Sequence, residues 1–185
     1  STCSGSGFII TPDGYVVTNN HVVKDATKVT VSMYDGTKYD ATIVGTEPSN
    51  DVALLKIDAA NLPAVSIGSS SSVGVGDQVV AIGNPLGELT FTLTVGYVSA
   101  LDREINTDGT PINMLQTDVS INSGNSGGPL FDMAGNVIGI TTAKYSSSGY
   151  GTASIEGIGF AIPVDDVMRI VDDLKQYGYV TGKPQ

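Results

Sequence analysis

Three side chains, far apart in the chain, have the types that acyl-transfer chemistry needs. Ser126 lies in the stretch INSGNSGGPLFD, residues 121–132, among three glycines and just before an apolar run. His21, the single histidine of the chain, ends the strand-like run VVTNNHVV, and Asp51 opens the apolar run NDVALLKI. A serine hydroxyl is a poor nucleophile at neutral pH unless an adjacent base takes its proton as attack begins. His21 is the side chain whose ordinary titration range suits that task. An imidazole in this role needs its far nitrogen held by a buried carboxylate, which Asp51 would supply. The tetrahedral intermediate would carry an oxyanion, and the backbone of Gly124, Asn125 and Ser126 can turn N–H groups towards it. Such donors are each worth about 10²–10³ in rate.

Each signal has a bland counterpart. A lone histidine is more often structural than catalytic, an aspartate at a strand mouth is usually a turn residue, and a glycine cluster can be a plain loop. The glycines do sharpen the reading. Gly124 permits unusual dihedrals, and Gly127 and Gly128 would let a substrate backbone approach closely.

The elements that must position these residues are mostly short strands. GFIITPDGYVVTNN reads as strand, turn at 12–14, strand, and KVTVSMYDGTKYDATIVG as a hairpin about Asp35-Gly36 with Val29, Val31 and Met33 on one face. DVALLKID and DQVVAIGNP are further strands, joined by the surface connection GSSSSVGVG. The pattern restarts after Asn84-Pro85 with FTLTVGYVSAL, NMLQTD, NVIGITTAKY and GIGFAIP. This predicts an all-β protein of two antiparallel barrels or sandwiches packed together, one on each side of about residues 85–90. The period then changes: Val164, Val167, Met168, Val171 and Leu174 form one helical stripe between Pro163 and Gly178. Asp165 and Asp166 suit the positive end of that helix, and Asp172 and Asp173 read as a solvated face. The four aspartates lack the spacing of an oxygen cage, so no metal is expected.

Composition removes other classes. Of 185 residues 41% are hydrophobic and 15% charged, enough to bury a core. A net charge of −10 argues against a nucleic-acid binder, which needs basic patches. One cysteine, Cys3, forbids an internal disulfide, leaves the compartment open, and reads as a small packing residue. No apolar run approaches a membrane span of about 18 residues. The first residues already read as barrel sequence, so any native leader or anchor is expected ahead of them.

Six collinear blocks, GSGFIITPDGYVVTNNHVV, NDVALLKI, VVAIGNPLG, TVGYVSALDR, LQTDVSINSGNSGGPL and GIGFAIP, resemble the signature blocks of the HtrA/Deg serine proteases within the chymotrypsin-like clan. The catalytic template invoked above is that clan's own. The resemblance runs from Gly5 to about Tyr179. It implies two six-stranded barrels with the site between them: a first barrel at about 1–86, a second at about 87–162, a helix at about 163–178 and a linker at 179–185, with a PDZ domain expected downstream and absent from this sequence.

The resemblance further implies an ATP-independent endopeptidase that degrades misfolded or unfolded polypeptides outside the cytoplasm, with no cofactor. Its roles carry over as Ser126 nucleophile, His21 general base and Asp51 orienting carboxylate, with Gly124, Asn125 and Ser126 as oxyanion hole. Ile121, Ile140, Thr141 and Thr142 would wall a pocket for a small or medium aliphatic side chain, and the strand at 140–143 would pair with extended substrate. Control would run through the loops NPLGELTF, LDREINTDGTPIN and KYSSSGYGTASIEG, with Arg103 reaching the oxyanion loop. The assembly implied is a homotrimer, and the full-length chain could be membrane-anchored. A binding or chaperone-like module with a collapsed site is the rival reading. An esterase of the α/β-hydrolase kind fits poorly, because strands flank Ser126 on both sides.

Overall fold

The structure is a computed structural model that describes residues 2–84, 91–106, 111–145 and 157–182. The chain opens with β1 (Phe8–Ile9) and β2 (Tyr15–Thr18), joined by a tight turn in which Gly14 takes φ +103°. A one-turn helix α1 (Asn20–Val23) follows, then β3 (Val29–Ser32), β4 (Lys38–Glu47) and β5 (Val52–Ile57). These strands form one antiparallel sheet in the order β1-β2-β5-β4-β3. The predicted hairpin about Asp35-Gly36 joins β3 to β4, with Gly36 at φ +89° and the Asp35 carboxylate accepting from the Thr37 N–H at 2.9 Å.

The second sheet contains β6 (Ser66–Ile67), β7 (Gln78–Gly83), β8 (Thr92–Asn106), β9 (Pro111–Thr117), β10 (Pro129–Phe131), β11 (Asn136–Thr142) and β12 (Gly159–Pro163). Its order is β10-β7-β8-β9-β12-β11-β6, and a further pairing of β10 with β11 closes six of these strands into a barrel. The helix α2 (Val164–Tyr177) ends at Gly178, whose φ of +78° is the left-handed cap that glycine favours.

The all-β architecture with a C-terminal helix matches expectation, and five details correct the rest. The first sheet has five strands and stays open rather than closing as six. The division between the halves falls between β5 and β6, not near residue 86, because β6 and β7 pair into the second sheet. The segment 101–113, expected as a loop, is mostly a hairpin of β8 and β9, bulged where Asp102 takes φ +52°. The expected linker is docked over its described part: Val180 packs on the core, and Thr181 donates from its N–H and hydroxyl to Asp173, so that aspartate is no mere solvated residue. Cys3 is exposed rather than packed, since it precedes β1 and none of the described residues covers it.

Two-residue periodicity explains how the halves dock. On β5, Val52 and Leu54 face a core shared with Ile105, Met114, Ile140 and Ile162 of the second sheet and with Val167, Val171 and Leu174 of α2. Ala53, Leu55 and Ile57 face the opposite way, onto Val16 and Val23. Burial of each large aliphatic side chain contributes about 1.5–3 kcal/mol, so this shared core is what fixes the two sheets against each other. Asp165 adds a polar tie: its carboxylate accepts from the Ser70 N–H at 3.2 Å, and its own N–H donates to the Ser70 hydroxyl at 3.1 Å.

Candidate active site

After β2 and the buried Asn19, the single turn of α1 carries His21 at its second position, with its side chain 31% exposed. Asp51 closes the turn before β5 with φ +58°, a left-handed conformation that aspartate tolerates better than most residues, and it is fully buried. That geometry lets it grip the His21 segment at four points. Its Oδ1 accepts from the His21 N–H at 2.8 Å, and its Oδ2 lies 2.6 Å from His21 Nδ1. Its carbonyl accepts from the Asn19 side-chain amide at 2.9 Å and from the Asn20 N–H at 3.2 Å. Thr142 of β11, from the other sheet, donates its hydroxyl to Oδ2 at 2.9 Å.

Since an ionised carboxylate can only accept, Nδ1 is the nitrogen that carries the proton in the neutral His21 imidazole, and in that form Nε2 presents a lone pair. Nε2 lies 3.3 Å from Ser126 Oγ. Ser126 sits in the turn between β9 and β10, its N–H donating to the Asn122 carbonyl at 3.0 Å. The structure therefore brings together the three residues that the sequence singled out, two from the first sheet and one from the second. A buried carboxylate, an imidazole and a serine hydroxyl in this order can generate a nucleophilic alkoxide at neutral pH. Among the described residues, no group of three or more His, Cys, Asp or Glu is placed to hold a metal.

The glycine-rich turn departs from expectation. The N–H groups of Gly124 and Asn125 donate to Asn122 Oδ1 at 2.9 and 3.2 Å, so with the Ser126 N–H all three expected oxyanion donors are satisfied within their own turn. The Asn125 side chain locks the same turn, accepting from the Asn122 N–H at 2.9 Å and donating to the Ser120 carbonyl at 2.9 Å. Gly127 and Gly128 make room for the protein's own backbone rather than for substrate. A Cβ at Gly127, where φ is +89°, would strike the Ser6 carbonyl, and one at Gly128 would lie 2.5 Å from the Ile82 carbonyl oxygen.

The expected pocket walls are redistributed as well. Ile140 is fully buried in the shared core, and Thr141 donates its hydroxyl to the Asn125 carbonyl at 2.9 Å. Thr142 serves Asp51, and Ile121, half-buried, lies where a Cβ on Gly159 would touch it. Strand β11 is already paired on both sides at Ile140 and Thr141, so the expected pairing with a substrate strand does not run along those two residues. Arg103 lies on β8 opposite Met114, exposed, rather than on a loop. Most of the segments 84–91 and 144–157, expected as control loops, lies outside the described residues.

Residues 5–140 match the trypsin-like peptidase domain family. The chain belongs to that family. Among curated relatives, this peptidase domain is 49% identical over 177 residues to a DegP-like periplasmic serine endoprotease of Chlamydia pneumoniae, covering 96% of this chain and 35% of that one. A DegP-like periplasmic serine endoprotease of Pseudomonas putida is 48% identical, with 96% and 36% covered. Among solved structures, the HtrA-type protease AlgW with a decapeptide superposes with a TM-score of 0.83 at 44% identity, covering 94% of this chain and 52% of that one. A serine endoprotease from Yersinia pestis gives 0.81 at 41%, with 95% and 58% covered. The HtrA/Deg resemblance is thereby borne out. The peptidase domain spans about a third of the length of these curated relatives.

Sequence reasoning missed three residues of the site. Asn19 is fully buried beside the nucleophile, and Asn122 closes the turn. Ser6 ties the N-terminal segment to it: the Ser6 hydroxyl donates to the Gly124 carbonyl at 2.8 Å and accepts from the Asn84 N–H at 2.9 Å. The available signal was two amides directly after an apolar strand, since a polar side chain buried there must find a partner.

Proposed function

We propose that this peptidase domain is a serine endopeptidase that cleaves unfolded or misfolded polypeptides without ATP, through an acyl-enzyme. The observation that carries this reading is the line from Asp51 Oδ2 to His21 Nδ1, 2.6 Å, and from His21 Nε2 to Ser126 Oγ, 3.3 Å. Ser126 Oγ attacks the scissile carbonyl while His21 Nε2 takes its proton, and Asp51 holds the imidazolium that forms. Collapse of the tetrahedral intermediate breaks the C–N bond, and His21 returns the proton to the leaving amine. A water then repeats the sequence on the ester and frees Ser126.

Gly124 and Ser126 N–H groups serve the oxyanion once the turn has opened, with Asn125 shaping that turn. Ile121 beside Gly159 supports an aliphatic preference at the residue before the cut. Arg103 is assigned a regulatory contact with the turn, as the family resemblance implies. The names of the curated relatives support a location outside the cytoplasm. A homotrimer is the assembly assigned, and an anchored full-length chain is compatible with it.

The closed turn favours one second reading, a module that holds unfolded segments without cutting them. Digestion of casein, with product termini read by mass spectrometry, separates the two. Cuts after Val, Ala or Ile that vanish in Ser126→Ala support the endopeptidase. Binding of casein without any cut, by both proteins, would sink it.

A further inference from the structure

The hydroxyl of Ser126 has three polar neighbours, and their chemistry decides where its proton lies. Asn19 donates from Nδ2 to the Asp51 carbonyl, which can only accept, so the Asn19 atom facing Ser126 is the acceptor Oδ1. Ser126 Oγ lies 2.7 Å from that Oδ1 and receives the Ala143 N–H at 2.9 Å. His21 Nε2, the base, is further away at 3.3 Å. The serine proton is therefore directed at an amide oxygen too weakly basic to take it. One lone pair of Oγ is held by a backbone N–H, and the residue is fully buried.

We propose that Asn19 is a positioning residue that holds Ser126 in a resting rotamer and competes with His21 for its proton. This rests on the reading of Ser126 as nucleophile. Asn19 is built for the task. Its side chain is completely buried, and its Nδ2 is anchored on the backbone carbonyl of the residue whose carboxylate orients the base, so one amide ties the nucleophile to the Asp51 main chain. Attack requires Oγ to leave Asn19 and Ala143 and swing to His21 Nε2. The ease of that swing sets the reactivity of the free enzyme.

The test is the rate at which Ser126 is labelled by an alkyl fluorophosphonate. In that reaction an Oγ–P bond forms, the P–F bond breaks, fluoride leaves and His21 takes the hydroxyl proton. Asn19→Ala deletes the competing acceptor and raises the labelling rate by about 2- to 12-fold, the equivalent of one neutral hydrogen bond. Asn19→Asp also loses the amide donor to Asp51 but keeps an acceptor oxygen, and it labels at or below the unmodified rate. The contrast separates proton competition from structural damage, which would slow both variants. Labelling of Asn19→Ala that is unchanged or slower overturns the proposal, and so does an Asn19→Asp rate that rises with it.

Should Asn19→Ala fail to fold, the unmodified protein still answers, because its one histidine gives an unambiguous nitrogen resonance. His21 Nε2 is expected at the ¹⁵N shift of an imidazole nitrogen that accepts no strong hydrogen bond, and a shift marking a strong bond from Ser126 overturns the assignment. Absence of any label at Ser126 in the unmodified protein, with the chain folded, would instead sink the endopeptidase reading itself.

Discussion

Asn122 Oδ1 accepts the Gly124 N–H at 2.9 Å, so the amide of one asparagine occupies a donor proposed for the substrate oxyanion. The same oxygen also takes the Asn125 N–H at 3.2 Å. The turn is thus closed by a side-chain carbonyl on two of the three donors proposed for the oxyanion, and in that reading catalysis must displace it.

Asn122→Ala is accordingly expected to raise kcat on an aliphatic peptide ester, with KM little changed. Two neutral hydrogen bonds bias the closed turn by about 1–3 kcal/mol, which bounds the gain at roughly 5- to 150-fold. Steady-state kinetics check this, and a fall in kcat would mean that Asn122 supports the open turn instead.

Thr142→Val removes one donor from the Asp51 carboxylate while preserving shape. A hydrogen bond to a charged acceptor contributes about 1.5–3 kcal/mol. Single-turnover acylation is expected to slow about tenfold or more with substrate affinity retained. An unchanged rate would show that the Thr142 hydroxyl, 2.9 Å from Oδ2, is dispensable.

Gly127→Ala forces a side chain into φ +89° and against the Ser6 carbonyl and Thr18 hydroxyl. Left-handed strain of about 1–3 kcal/mol predicts a drop in Tm of roughly 3–10 °C in a thermal melt, with activity lost as the turn shifts. The mirror control is Gly135→Ala, also at positive φ but with open space around it, which keeps activity.

Asp35 carries a pH dependence remote from the site. The Thr37 backbone N–H, followed by its hydroxyl, holds the Asp35 carboxyl below its ordinary value of 3.8. The hairpin gains from this ionised side chain at pH above the unfolded value and loses it as pH falls through the lower folded value. A ¹³C NMR titration is expected to place the midpoint below 3.8. A midpoint at or above it would refute the turn contact as a source of stability.

Much of the site was legible because its chemistry is carried by residue types that stand out singly: one histidine, one serine inside a glycine cluster, one aspartate at a strand mouth. The strands were legible where alternation or turn residues mark them, as at Asp35-Gly36 or in the two-sided burial of Val52–Ile57. What stayed hidden depends on partners far along the chain. Strand β7 has the same local pattern as the strands of the first half, so nothing in DQVVAIG announces that it pairs with β8 and β10. Asn19 and Ser6 act through bonds to residues more than 100 positions away, and polar side chains do not encode such partners. The glycines were read as room for substrate, yet only the folded chain shows that its own carbonyls fill that room.

His21 and Asp51 hang from one sheet and Ser126 from the other, with the shared core between them as the large apolar link among the described residues. Turnover is therefore a ruler for the docking of the halves. A slip of about one ångström spoils the 3.3 Å approach of Nε2 to Oγ, a misplacement of the size that costs about 10²-fold, and leaves each hydrogen-bonded sheet intact. On warming, the rate should report the loosening of the seam before circular dichroism registers any loss of strand.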